Sequence, residues 1–236
     1  MLFIFRKLRR SFFLPGKVRT YVAYAIGEIA LIMAGILLAL QVSEWNQARK
    51  DRIEERQILI DLQEEFQANR DQLVEVGASW AEIATALDQL LSYVGTQPKE
   101  DELPKVRLLV EDLYWRSFDP RSGSLKSTLS SGNLALIRDS QLRSQLSYWP
   151  DLVSDLDYNF DEQISYFLPL QHSLFETRIS MRSDSPLSSD LNTLFADVAT
   201  ENWLHSQKTA WLFTLEEKDA ILEATDEILR LIKLSL

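Results

Sequence analysis

Few residues in this chain are placed to do chemistry, and the most conspicuous is Glu28, the one charged residue in the run Tyr21 to Ser43, YVAYAIGEIALIMAGILLALQVS. A carboxylate inside so apolar a run costs roughly 2.5 kcal/mol or more in lipid unless it is protonated, partnered or close to the interface. The chemistry open to it is a hydrogen bond or ion pair with a neighbouring helix, or a polar path for protons and cations. The same turns carry small residues at Ala23, Gly27, Ala30 and Ala34, spaced four, three and four, with Gly35 widening the stripe. Such a stripe lets two helix backbones approach closely. With one such run per chain, the acid and the stripe both point to a helix from another chain: a second copy, giving a homo-oligomer, or a different membrane protein. The competing reading takes Glu28 as neutral or near the headgroups and the small residues as ordinary membrane-helix composition.

The remaining candidates carry less. His172 and His205 lie far apart and read as surface or core histidines rather than metal ligands. The acid pairs Glu64-Glu65, Asp161-Glu162 and Glu216-Glu217 read as solvated helix faces rather than hydrolytic carboxylates. Ser122-Gly123-Ser124 with Lys126 is the nearest thing to a small polar site and reads as a turn with a helix N-cap. There is no G-x-S-x-G, P-loop or G-x-G-x-x-G, and only seven glycines to build a phosphate loop. The absence of cysteine excludes disulfides and cysteine metal sites. The expectation is a protein that is not an enzyme, with no catalytic residue, metal or cofactor.

The elements that position these residues start with the run itself. Its 23 residues span roughly 34 Å at ~1.5 Å per residue, slightly more than the ~30 Å hydrocarbon core, which predicts one transmembrane helix over 21–43. Residues 1–20 mix apolar side chains with Arg6, Lys7, Arg9 and Arg10 ahead of a break at Pro15-Gly16, as in an amphipathic helix lying on the inner face of the lipid bilayer. Trp45 marks the other membrane interface. A cleaved secretory signal fits poorly, because the run is too long and no A-x-A site follows it.

Charge is divided by the span. Six of the 25 lysines and arginines precede it without an acid, leaving 19 against all 35 acidic residues in the remainder. The positive-inside tendency puts the N-terminus in the cytoplasm and the acidic part outside, although Arg49, Lys50, Arg52 and Arg56 reduce the asymmetry. So acidic a region argues against nucleic acid as a partner.

Past the span a long helix is expected over 44–97. From Leu59 its three-four spacing runs through Leu62, Phe66, Asn69, Leu73, Val76, Trp80, Ile83, Leu87, Leu90 and Val94, about five heptads. The seam suits packing against the chain's own later helices better than an intermolecular coiled coil, in which Asn69 would fix the register; Phe66 and Trp80 are bulky for two strands. Residues 98–236 read as a helical bundle packed on that helix. Gly95–Pro104 is a linker, and helices follow over Pro104 to about Ser117 and over Leu125–Ser131, the latter stopped by Gly132-Asn133. A helix capped by Asp139 or Ser140 runs to Pro150 and on to Ile179 with a kink at Pro169, burying Tyr148, Trp149, Tyr158, Phe160, Tyr166, Phe167 and Phe175. A loop at 182–189, a short helix at 190–198 and a long one from Glu201, with Leu204, Trp211, Leu215, Leu222, Leu229, Ile232 and Leu236 on one side, complete an all-α fold.

The blocks Tyr24-Ala25-Ile26-Gly27-Glu28-Ile29, Gly35-Ile36-Leu37-Leu38-Ala39-Leu40-Gln41 and Trp45-Asn46 resemble the N-terminal signature of a family of uncharacterised bacterial single-pass membrane proteins. Ser131-Gly132-Asn133-Leu134 with Ile137 is similar to a second mark of that family, while Ser43-Glu44 departs from the asparagine-rich stretch expected there. The resemblance implies a location in the bacterial inner membrane and no established activity, so no catalytic residue carries over. Together these readings give a non-enzymatic membrane-anchored interaction, scaffold or sensor protein. An ion- or proton-coupled membrane subunit using Glu28 is the alternative.

Overall fold

The structure is a computed structural model that describes residues 15–182, 184–185, 187 and 189–236. Arg6, Lys7, Arg9 and Arg10 lie outside them, as does the side chain of Tyr166. The fold is all-α, with no strand among the described residues. It divides into two compact units, one ending at Glu54 and the other comprising Glu55–Leu236.

Helix α1, Pro15–Leu91, is 77 residues long. No proline or glycine interrupts it between Gly35 and Gly77. Three i,i+4 pairs brace its exposed side, with Gln47, Gln57 and Gln67 donating to Asp51, Asp61 and Asp71. Pro15 and Gly16 belong to its first turn instead of breaking the chain ahead of it, as a proline with no N–H to satisfy is able to do. The helix ends at Leu91 and not at 97, because Gly95 turns the chain at φ +73° and donates its N–H to the Phe195 carbonyl at 2.9 Å.

Within the second unit, α1 forms one wall of a three-helix core with α4 (Ser140–Gln171) and α6 (Val198–Ser235). The predicted seam is covered by the chain itself: Leu59 to Leu90 on that spacing are all buried, Asn69 included, and only Val94 is partly open. Phe66 meets Trp149 edge-on at 5.0 Å, while Trp80, Phe160 and Trp211 pack mutually at 5.7–6.2 Å between ring centres. Bulk that would crowd a two-stranded coil fills the wider space between three helices.

The connection from α1 to α4 makes little regular structure. Helix α2, Leu103–Glu111, stops six residues short of the expected Ser117, and residues 114–122 then run without helix to α3, Gly123–Ser130. Side chains of α1 supply the missing partners. The Asn69 amide donates to the Arg121 carbonyl (2.7 Å) and accepts from the Arg121 N–H (2.8 Å), and the Trp80 indole donates to the Arg116 carbonyl (2.9 Å). Glu65 accepts the first free N–H groups of α3, from Ser124 at 2.7 Å and Leu125 at 3.0 Å, the arrangement in which a carboxylate is most favourable at a helix start. Glu55 accepts the Arg138 N–H at 2.8 Å and faces its guanidinium at 3.4 Å. Glu65 is therefore a buried cap, while its neighbour Glu64 is exposed as expected.

Helix α3 ends at Gly132 in the left-handed region (φ +79°), the role foreseen for Gly132-Asn133. Asp139 caps α4 by accepting from Gln141 and Leu142. Helix α4 passes Pro150 unbroken, contains Pro169, and gives way to a π-turn at His172–Glu176 instead of reaching Ile179. Tyr148 and Tyr158 are exposed, not core. Asp190 caps the short α5, Leu191–Phe195, and Asp197 caps α6 three residues earlier than expected. The buried side of α6 is also turned from the leucine heptad: Gln207, Thr214, Ile221, Thr225 and Ile228 are inside, Leu215, Leu222 and Leu229 are at the margin, and Leu236 is exposed. Thr225 belongs inside because its hydroxyl accepts from the Trp149 indole and donates to the Ile221 carbonyl.

Asn69→Leu leaves both backbone groups of Arg121 without partners and should destabilise the protein by about 2–3 kcal/mol, whereas Glu64→Ala should stay within about 0.5 kcal/mol. Denaturant melts followed by circular dichroism measure both.

Candidate functional site

The candidate residues lie in the first unit, on the part of α1 before Glu55. Every described side chain from Tyr21 to Lys50 is exposed, including Tyr24, Ile26, Leu31, Met33, Leu37 and Trp45. Apolar residues occupy all sides of the helix over 21–42, so there is no polar face to turn to water. The helix is long and apolar enough to cross a membrane.

Helical geometry separates the two features that the sequence puts together. At about 100° per residue, Ala23, Gly27, Ala30 and Ala34 fall within an arc of about 60°, whereas Glu28 lies about 130° from its middle, beside Gly35. The small-residue stripe and the acid thus occupy different faces, and Gly35 belongs with the acid. A methyl group built on Gly27 or Gly35 meets no atom within 4 Å, so nothing in the described chain requires glycine at either position. No hydrogen bond or ion pair to Glu28 is formed among the described residues.

Elsewhere the candidate groups named from the sequence make local contacts. The His172 ring faces Glu176 across one helical turn, Nδ1 to Oε1 2.6 Å, at the exposed π-turn. No cluster of three metal-ligating side chains occurs among the described residues. Ser124 and Gly123 form the start of α3 on Glu65, which is a cap and not a reactive site. The acidic surface does leave a mark on α4: partial burial, then the Asp161 and Asp119 carboxylates, push the Asp157 carboxyl above its ordinary value. Burial does the same to Glu217, against a hydrogen bond from Asn159.

Sequence reasoning missed the polar groups Glu55, Glu65 and Gln207 placed inside the fold, and with them Thr128, Thr200, Thr214 and Thr225. For Glu55 a signal existed, since the seam extended four residues back from Leu59 lands on it. Gln207 likewise falls on the three-four spacing between Leu204 and Trp211, whereas Glu65 becomes internal only through the segment folded against it.

Compared with known protein families, the chain matches a family of unknown function, DUF6090, over residues 28–179, more than half its length. It belongs to that family. The DUF6090 match begins at Glu28 and takes in the apolar run from there on, the α1 seam, the clasped connection and α4. No curated protein and no solved structure matches the chain.

Because Asp157 is held above its unfolded value, the folded state prefers it protonated, and its unfavourable contribution at neutral pH disappears as pH falls through the raised value. Asp157→Asn should raise the melting temperature by about 1–2 °C at pH 7, a small gain because the side chain is exposed. Repeating the melt near pH 3 should show no difference.

Proposed function

We propose that this DUF6090 protein is a non-enzymatic, membrane-anchored interaction or scaffold protein of a bacterial cytoplasmic membrane. Residues 21–43 cross the bilayer once, the N-terminus is cytoplasmic, and the acidic helical domain lies outside the cytoplasm. The observation that carries the reading is the helix whose apolar residues cover every side and which no described part of the chain covers. The open space at Gly27 supports association through the stripe of Ala23, Gly27, Ala30 and Ala34 with a second copy or another membrane protein. The basic residues before the span support the orientation.

A second reading, an ion- or proton-coupled subunit, is favoured by one observation: the acid lies away from the stripe, so pairing through the small residues leaves Glu28 available to a different partner or path. Under it, the protein in liposomes conducts and Glu28→Gln abolishes the flux.

The cysteine-free chain suits single-cysteine mapping. In intact spheroplasts, Ser206→Cys should react with a membrane-impermeant maleimide and Ser11→Cys should react only after lysis; the reverse pattern overturns the orientation.

Association is tested by crosslinking in membranes. Gly27→Leu should reduce crosslinked species at least tenfold, while Gly35→Leu, on the other face, should leave them unchanged.

A further inference from the structure

One cleft of the bundle has no part in the anchoring described above. It lies between α4 and α6 beside Trp115, with Phe160, Phe167 and Trp211 among its walls and Gln163 and Gln207 for polarity. None of the described lining residues is charged. Counting the open mouth it encloses about 280 Å³, of which the room for a water-sized body is about 20 Å³, little more than one water molecule. Its aromatic walls are fixed: Phe160 meets Trp211 edge-on at 5.7 Å and Trp115 at 6.3 Å, and Trp80, with its indole tied to the Arg116 carbonyl, packs behind Phe160 and Trp211.

Gln207 makes the cleft more than a packing defect. It is only 6% exposed, and its Nε2 is buried without an acceptor among the described residues. Buried amide donors are nearly always paired, and an unpaired one costs free energy that the surrounding apolar contacts must offset. Gln163 does not relieve it, since no hydrogen bond joins the two amides among the described residues.

We propose that the cleft is a binding site for a small neutral ring compound bearing a carbonyl or hydroxyl oxygen. The oxygen occupies the water-sized space and accepts the hydrogen bond from Gln207 Nε2, and the ring lies at the mouth against Trp211 and its aromatic neighbours. Three features select this chemistry. The orphan donor asks for an acceptor, the aromatic walls favour a flat apolar body, and the lack of any charged lining residue makes an ionised ligand expensive to desolvate. The proposal stands whether or not the helix at 21–43 pairs with another chain.

The test titrates the full-length protein, in detergent micelles, with benzamide and separately with benzoate, by saturation-transfer NMR. Empty micelles give the background. Benzamide should bind saturably and at least tenfold more tightly than benzoate. Gln207→Leu should weaken benzamide at least tenfold while keeping the wild-type circular dichroism spectrum and a melting temperature no lower than wild type. Gln207→Met serves the same purpose if the leucine variant does not fold. No saturable benzamide binding, equal binding of benzoate, or unchanged binding in the folded Gln207 variants would overturn the proposal, the cleft then holding water alone.

Discussion

The second unit depends on one long helix lending hydrogen bonds to a stretch of chain that makes few of its own. Asn69, Trp80, Glu65 and Glu55 sit on or beside the apolar seam of α1 and take up backbone groups of Arg116, Arg121, Ser124, Leu125 and Arg138. These are side-chain to main-chain contacts across 36 to 83 residues of sequence. In a partly buried connection each main-chain group needs a partner, and a regular helix would have provided it locally. Here the partner is a neighbour's side chain, so the connection is free to follow the shape of the seam. The cost is conformational: a connection held this way is ordered only when α1 is already helical beside it.

The same helix has two kinds of surroundings along its length. From Leu59 to Leu90 its apolar residues lie on one stripe, and the chain covers that stripe with α4, α6 and the clasped connection. Over 21–42 the apolar residues go all the way round, and no described part of the chain covers them. An amphipathic stripe is completed by a protein partner on one side, whereas an all-round apolar surface asks for an apolar medium on every side. That contrast is what the membrane anchoring proposed for this DUF6090 member rests on.

How much of this was legible follows from how local each signal is. The seam was readable because a period of 3.6 is written directly into residue spacing, and Gly132 and Asp139 were readable because turn and cap chemistry are properties of single residues. The ends of α1 and α2 were misplaced because tertiary hydrogen bonds, from Gly95 to Phe195 and from the α1 side chains, outcompete the helix's own. The leucine heptad of α6 misled for a related reason. Thr225 and Thr214 satisfy their hydroxyls on the preceding turn, so threonine enters the core where a leucine count places none. Glu65 shows the limit most plainly, since next to the solvated Glu64 its composition is the same and only the arrival of α3 tells the two apart. In the first unit, the acid and small-residue spacing were legible as motifs, but their separation around the helix emerges only when each position is turned into an angle.

The anchoring proposed for the chain turns on whether residues 21–43 lie in lipid. Flotation of cell membranes on a density gradient after an alkaline carbonate wash measures this on the full-length protein. Recovery of the protein with the floated membranes is the predicted result, and its release into the wash as a soluble protein would contradict the account.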